Sequence, residues 1–292
     1  MFLFPASDYL KSPLNYIGGK YKLLPQILPL FPKNIDTFVD LFVGGANVAI
    51  NVDAKTILCN DNLIFLIALY NEFKNSKIPA IFDYIKNRIS EFELSDKNEL
   101  GFKALRSEYN RTKSPLDLFV LLAFSFNHQI RFNSKHEFNT PFGKERSSFN
   151  SAMSKNLKSF LNKLYSSNIY FTCNNFDVFN FSSLSKNDFV YCDPPYLITS
   201  GTYNDGKRGF TGWNKAEEYN LLRILDSLNN SNIRFALSNI LEHKGICNYI
   251  LKDWLSERPY NIHYMKSNYK NSNYHSKNLN KGASIEVLIT NY

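Results

Sequence analysis

Residues 36–61 read DTFVDLFVGGANVAINVDAKTILCND. One apolar run, Asp36–Gly45, ends in two glycines, and a second, Ala54–Asp61, ends in an Asn-Asp pair. Between them ANVAINV is short and helix-compatible. Strand, glycine turn, helix and strand in that order predict the opening of a doubly wound α/β sheet. Glycines at the carboxyl end of a first strand let a ligand approach the backbone. An acid about twenty residues on, here Asp61, suits a ribose hydroxyl pair. The G-x-G-x-x-G pattern of a dinucleotide site is absent. A cofactor without a pyrophosphate needs fewer glycines, and the adenosine of S-adenosylmethionine fits that description. An ordinary tight turn would show the same residues.

Beyond Asn62 the pattern changes. Apolar residues at three- and four-residue steps predict helices as far as about Lys163, most clearly in IPAIFDYIKNRISEFEL and SPLDLFVLLAFSFN. Asn127–Asn150 is polar, basic and rich in aromatics, and reads as a surface loop or hairpin. Strand patterns return at Asn168–Asn174, Asp188–Asp193, Ile233–Asn239 and Ser284–Asn291, with a helix over NKAEEYNLLRILDSLN. The expected architecture is a Rossmann-like α/β sheet, residues 1–62 and 164–292, interrupted by a helical insertion, residues 63–163. Two polar stretches, 197–215 with Tyr203, Lys207 and Arg208, and Lys266–Gly282, read as loops able to close over a site or to remain solvated connections.

With 44% hydrophobic residues the chain can build a real core, and 21% charged residues argue against disorder. The sequence contains no apolar run of about 18 residues, so no membrane span is expected. The first residues lack a basic n-region and read as mature protein in a cytoplasm. Cys59, Cys173, Cys192 and Cys247, and five scattered histidines, have no metal-ligand spacing, so reduced thiols and no metal are expected. A net charge of +8 makes nucleic acid a reasonable partner, though sign without clustering is a weak footprint.

The chemistry is concentrated in YCDPPY, Tyr191–Tyr196, fed by the apolar Phe189-Val190. A strand ending there projects groups from the carboxyl edge of the sheet, where ligands bind in such folds. Pro194 and Pro195 remove backbone donors and fix φ. What remains is a rigid set of acceptors, suited to a substrate offering two hydrogens, such as an exocyclic amine. Bonds to both hydrogens aim the nitrogen lone pair and stabilise its growing positive charge. Tyr196 is able to stack on a flat base.

Asp-Pro-Pro-Tyr resembles the catalytic motif of amino-methyltransferases acting on DNA. The order of glycine motif, insertion and Asp-Pro-Pro-Tyr is similar to the alpha group of N6-adenine DNA methyltransferases, the Dam and DpnM family (D12 class). PLNYIGGKYKLLPQILPLFP, with an aromatic before Gly-Gly-Lys, is similar to that family's opening. FNHQIRFNSKHEFNTPFGK is similar to its recognition loop, and IEVLITNY to its last strand. The resemblance spans nearly the whole chain.

It implies a Rossmann-like S-adenosylmethionine-dependent enzyme that flips an adenine from double-stranded DNA. Tyr16, Lys20, Asp40, Phe42, Gly44, Gly45, Asp61 and Asp193 would contact the cofactor, with Asn174, Asn175 and Phe176 near its adenine. Asp193, Pro194, Pro195 and Tyr196 would hold the target amine. In the loop, Arg131 suits a guanine edge and Gln129 an adenine edge. Lys135, Lys144 and Arg146 suit phosphates, and Asn133, Asn139 and Pro141 complete the expected DNA-contacting set. Phe126 and Phe132 read as anchors of the loop, and His128 and His136 lie within it. The context implies a bacterial restriction–modification role with a cognate restriction endonuclease, or an orphan enzyme, as monomer or weak dimer.

Three departures from the family pattern matter. Ala46 replaces a usual glycine, acceptable where φ is negative. Asn175 replaces a usual Asp but still accepts through its carbonyl. NHQIR replaces Asn-Gly-Leu-x-Arg, which leaves the target open: GATC first, then CATG or an asymmetric site. Methylation of RNA or of a protein glutamine, or a decayed DNA-binding module, remain alternatives from the residues alone.

Overall fold

The structure, a computed structural model, describes residues 9–199, 212–266 and 284–292. The strands are β1 (Ile35–Asp40), β2 (Ala54–Asn60), β3 (Ile169–Thr172), β4 (Phe189–Cys192), β5 (Arg234–His243), β6 (Ile246–Cys247), β7 (Asn261–Tyr264) and β8 (Ile285–Thr290). The helices are α1 (Leu24–Ile27), α2 (Ile64–Asn75), α3 (Ile78–Glu91), α4 (Glu99–Thr112), α5 (Pro115–Phe124), α6 (Ser151–Ser166), α7 (Lys215–Asn230) and α8 (Tyr249–Ser256). One sheet runs β3-β2-β1-β4-β5-β8-β7, with the two-residue β6 paired to β5. The first five of these are parallel; β8 is antiparallel to β5 and to β7.

Chain direction across the sheet reverses between β1 and β4. The chain winds outward from β1 through β2 to β3 on one side, and from β4 to β5 on the other. Ligands of open parallel sheets bind at such a switch point, outside the carboxyl ends of the strands. Those two ends carry the glycine turn and Asp-Pro-Pro-Tyr.

Both faces of the sheet are covered, which is why its central strands read as continuous apolar runs. Alternate residues of β4 enter opposite cores: Phe189 and Tyr191 meet the face of α2–α6, and Val190 and Cys192 meet α7 and α8. α2 and α6, at the two ends of the 63–163 segment, lie against β3 and the turn after β1. α5 is buried from Leu116 to Phe124 among α2, α3 and α4. Its one carboxylate, Asp117, accepts from Arg88 Nε at 2.8 Å and Nη2 at 3.0 Å, and from Tyr84 at 3.0 Å. That pairing satisfies a buried charge and ties α3 to α5.

The expected helix over ANVAINV does not form; the described residues have a single 3-10 turn, Ala49–Asn51. The segment is short, and its asparagines serve the N-terminal arm instead. Asn51 exchanges two bonds with the Leu10 backbone, and Asn47 accepts from Ser12 N at 3.1 Å. The condition placed on Ala46 also fails, since its φ is +57°. A left-handed alanine costs about 1–2 kcal/mol, whereas its fully buried methyl contributes about 0.8 kcal/mol. The effects nearly cancel. Ala46→Gly is expected to change stability by less than about 1 kcal/mol in a denaturant titration, and a loss of several would show that packing rules this position.

Of the loops expected to close the site, residues 200–211 and 267–283 lie outside the described residues. No helix among the described residues is long and apolar enough to cross a membrane.

Candidate active site

A cavity of about 870 Å³ opens at the switch point. The β1 end supplies Asp40, Phe42, Gly44 and Gly45, and the β2 end supplies Asp61. Asn174, Asn175 and Phe176 follow β3, and Asp193, Pro194, Pro195 and Tyr196 follow β4. Tyr16 and Lys20 close one side. The predicted cofactor-binding and catalytic residues therefore converge on one space, from segments more than 170 positions apart in sequence.

The glycines are explained by contact. A Cβ on Gly44, whose φ is +44°, would stand 3.0 Å from the Tyr16 ring. A Cβ on Gly45 would stand 2.9 Å from Tyr16 Cβ. Both glycines let the N-terminal arm pack directly onto the turn. Tyr70, buried in α2, fixes the turn further by donating to the Gly44 carbonyl at 2.7 Å.

Asp61 accepts from Gly44 N and Leu63 N, each at 3.0 Å. Each of its oxygens retains acceptor capacity, since a carboxylate offers about four lone-pair sites. Burial raises its pKa, and the backbone amides around it partly offset that. Asp40 is more extreme. It is 2% exposed, and its Oδ1 has no hydrogen-bond partner. Burial, then the charges of Asp193 and Asp61, push its carboxyl well above the usual range. An orphaned buried acceptor among carboxylates fits a ligand that brings positive charge.

At Asp-Pro-Pro-Tyr, Lys20 Nζ stands 2.8 Å from Asp193 Oδ1 and donates to the Gly18 carbonyl at 2.9 Å. Burial raises the Asp193 pKa, and Lys20 opposes that rise. Tyr196 Oη bonds Asp193 at 3.2 Å, and Lys20 Nζ lies 5.0 Å from the Tyr196 ring centre. Glu286 of β8, which the sequence reading missed, also meets Tyr196 Oη, at 3.0 Å. Its one signal was a lone charge in the apolar run IEVLIT.

Trp213 was missed as well. Its ring packs 5.6 Å from Phe42 and 5.3 Å from Phe176, completing an aromatic wall. Its indole N–H donates to buried Glu218 at 2.7 Å, and Glu218 also accepts from Asn239 and Asn248. Glu218→Ala leaves three buried donors without an acceptor. It is expected to cost about 3 kcal/mol or more, seen as a lowered unfolding midpoint with altered tryptophan emission.

The set expected to contact DNA divides. Gln129 and Arg131 reach the cavity. They follow two consecutive left-handed residues, Asn127 and His128, both at φ +53°. Asn15, next to Tyr16, donates to the Asn127 carbonyl at 2.8 Å and so links this loop to the side of the cavity that Tyr16 lines. Arg131 Nε and Nη2 bond Asn139, at 2.9 and 2.5 Å. Asn133 caps a tight turn by accepting from Lys135 N and Glu137 N. Pro141 accepts from Phe126 N. Lys135 and Lys144 are exposed and do not line the cavity. Phe132 anchors the loop as expected, 4.3 Å from the Phe65 ring. Phe126 does not: it is 39% exposed and lies under the Arg146 guanidinium, 5.1 Å away. Among the described residues no cluster of His, Cys, Asp or Glu is placed to hold a metal.

The chain is 52% identical over 287 residues to the Type II methyltransferase M.FokI of Planomicrobium okeanokoites, covering 98% of this chain and 44% of that protein. It is 54% identical to the modification methylase StsI of Streptococcus sanguinis, with the same coverage. A DNA adenine methylase of Salmonella typhi is 29% identical over 77% of this chain and 79% of its own length. The chain thus spans less than half the length of the first two relatives. Residues 16–271 match the D12 class N6 adenine-specific DNA methyltransferases. With the glycine turn, Asp-Pro-Pro-Tyr and the Arg131 loop joined at one cavity, the chain belongs to that family.

Proposed function

We propose that this chain transfers a methyl group from S-adenosylmethionine to N6 of an adenine flipped out of a short duplex DNA site. The single observation that carries this is Asp40 Oδ1, a buried acceptor without a partner beside the glycine turn. It suits the ammonium of the methionine moiety, while Asp61 suits the ribose and the wall of Phe42, Phe176 and Trp213 suits the adenine. When bound, S-adenosylmethionine supplies an electrophilic methyl whose bonding pair stays on sulfur as nitrogen takes the carbon.

The protein's part is positioning. The Asp193 carboxylate and the Pro194 carbonyl accept from the amine and aim its lone pair. The amine becomes acidic only after it gains the methyl, so Asp193 is a late proton acceptor. Base flipping is required because the paired amino group is out of reach within the duplex. Gln129 and Arg131, at the cavity, suit base edges. Arg131 does so with its Nε–Nη2 edge braced on Asn139. Lys135 and Lys144 suit phosphates, and residues 63–163 would form the recognition unit that carries this loop.

The names of the relatives, a Type II methyltransferase and a modification methylase, favour a restriction–modification role with a cognate endonuclease. The test is methyl transfer from labelled cofactor to unmethylated genomic DNA, followed by nucleoside digestion and site mapping. N6-methyladenine at one short motif is expected, and the map decides between GATC, CATG and an asymmetric site. Label in RNA or protein instead would overturn the substrate.

A further inference from the structure

Glu286 is 2% exposed on β8, the strand inserted between β5 and β7. Its carboxylate meets Tyr196 Oη at 3.0 Å and stands 3.8 Å from Lys20 Nζ. The same Lys20 Nζ is 2.8 Å from Asp193 Oδ1. One buried ammonium therefore lies between two carboxylates, bonded to one and a short step from the other. Asp193 Oδ1 already serves both Lys20 and Tyr196, and the incoming amine competes with them for the same carboxylate. Where the amine displaces the lysine, another carboxylate must take it, because an uncompensated buried ammonium is strongly unfavourable.

We propose that Glu286 is a positioning residue that receives Lys20 from Asp193 when the target amine binds. This rests on the assignment of Asp193 to that amine. In the exchange no covalent bond changes: Lys20 moves about 1 Å toward Glu286, and Asp193 Oδ1 turns to the N–H of the amine. After methyl transfer the proton leaving N6 goes to the Asp193 carboxylate. Lys20 then stays compensated by Glu286 while Asp193 is neutral, and Asp193 returns the proton to solvent on product release. The raised pKa of Asp193 is in keeping with that late role. Tyr196 Oη, in contact with both carboxylates, couples the ring expected to stack on the base to the same exchange.

The test is single-turnover methyl transfer on a duplex carrying the mapped site, with enzyme saturated in cofactor. Glu286→Gln keeps an acceptor for Tyr196 and removes the charge. It is expected to slow the chemical step about 10- to 100-fold. Affinity for S-adenosylhomocysteine, affinity for DNA and the melting temperature should stay near wild type. Glu286→Gln combined with Lys20→Met should be no slower than the slower single variant, because the two residues act as a unit. Additive losses, a wild-type rate, or slowing matched by lost cofactor affinity and lowered melting temperature would each overturn the proposal. If Glu286→Gln does not melt cooperatively, Glu286→Asp, which withdraws the charge by one methylene, is measured in its place with the same expectation. Asp193→Ala is the control: an active Asp193→Ala enzyme sinks the assignment of Asp193 itself, whereas an inactive one beside a fast Glu286→Gln sinks only the role of Glu286.

Discussion

Asp193→Ala is expected to lower methyl transfer by about 10³-fold or more while the protein stays folded and binds cofactor. Two losses combine. The amine loses its charged acceptor, so its lone pair is no longer aimed, and the positive charge growing on nitrogen loses its compensation. Removing one preorganised group of this kind costs about 10²–10³ in rate, and loss of the late proton acceptor adds to it. Lys20 loses its partner at 2.8 Å but keeps the Gly18 carbonyl and has Glu286 at 3.8 Å, so the fold is not left with an isolated charge. Transfer of labelled methyl to DNA, alongside S-adenosylhomocysteine binding to the same variant, checks both halves. A variant retaining a tenth of the activity would remove Asp193 from the chemistry.

Asp40→Asn is expected to separate stability from function. The wild-type carboxyl is buried, lies near two other carboxylates and has an unpartnered oxygen. Burial raises its folded pKa well above 3.8. As pH climbs past 3.8, the unfolded chain gives up this proton before the folded one does. The folded state then binds more protons, and by linkage this residue lowers stability progressively with rising pH, up to its folded pKa. Asn carries no charge and escapes that penalty. The variant should melt higher than wild type without cofactor, by an amount that grows from pH 4 toward neutrality. It should also bind S-adenosylmethionine about 10- to 150-fold more weakly, the value of one charge-assisted bond of about 1.5–3 kcal/mol. Melting across pH, with and without cofactor, reads both effects. Unchanged cofactor affinity would place the ammonium elsewhere. Such a residue, costly to the empty fold and useful to the loaded one, is where stability and activity oppose each other.

Motifs that are contiguous in the chain could be read from it. A strand end is a local object, so Asp36–Gly45 and Tyr191–Tyr196 each announced a strand, a turn and the groups projected from it. Parallel central strands, buried on both sides, were legible as unbroken apolar runs. The order of the pieces and their spacing gave the family resemblance and, through it, Lys20, Asp61 and Asn175. The turn after β1 was misread because its conformation depends on partners far away: the asparagines bind residues 10–12, and Ala46 adopts a left-handed φ among buried neighbours. Phe126 was misjudged for a similar reason, since burial of an aromatic in a loop depends on what packs over it.

Only the tertiary structure brought Glu286 to the site. It is 93 positions from Asp193 in sequence, and its place follows from β8 entering antiparallel between β5 and β7, with Glu286 opposite Ile240. A register shifted by one residue would turn the same carboxylate to the other face of the sheet. Trp213 and Glu218 likewise depend on α7 packing against β5. The sequence by itself determined which groups end each strand, because that is local chemistry. Which groups from different strands share one buried space was decided by sheet order and register, which are set by the packing of both faces at once.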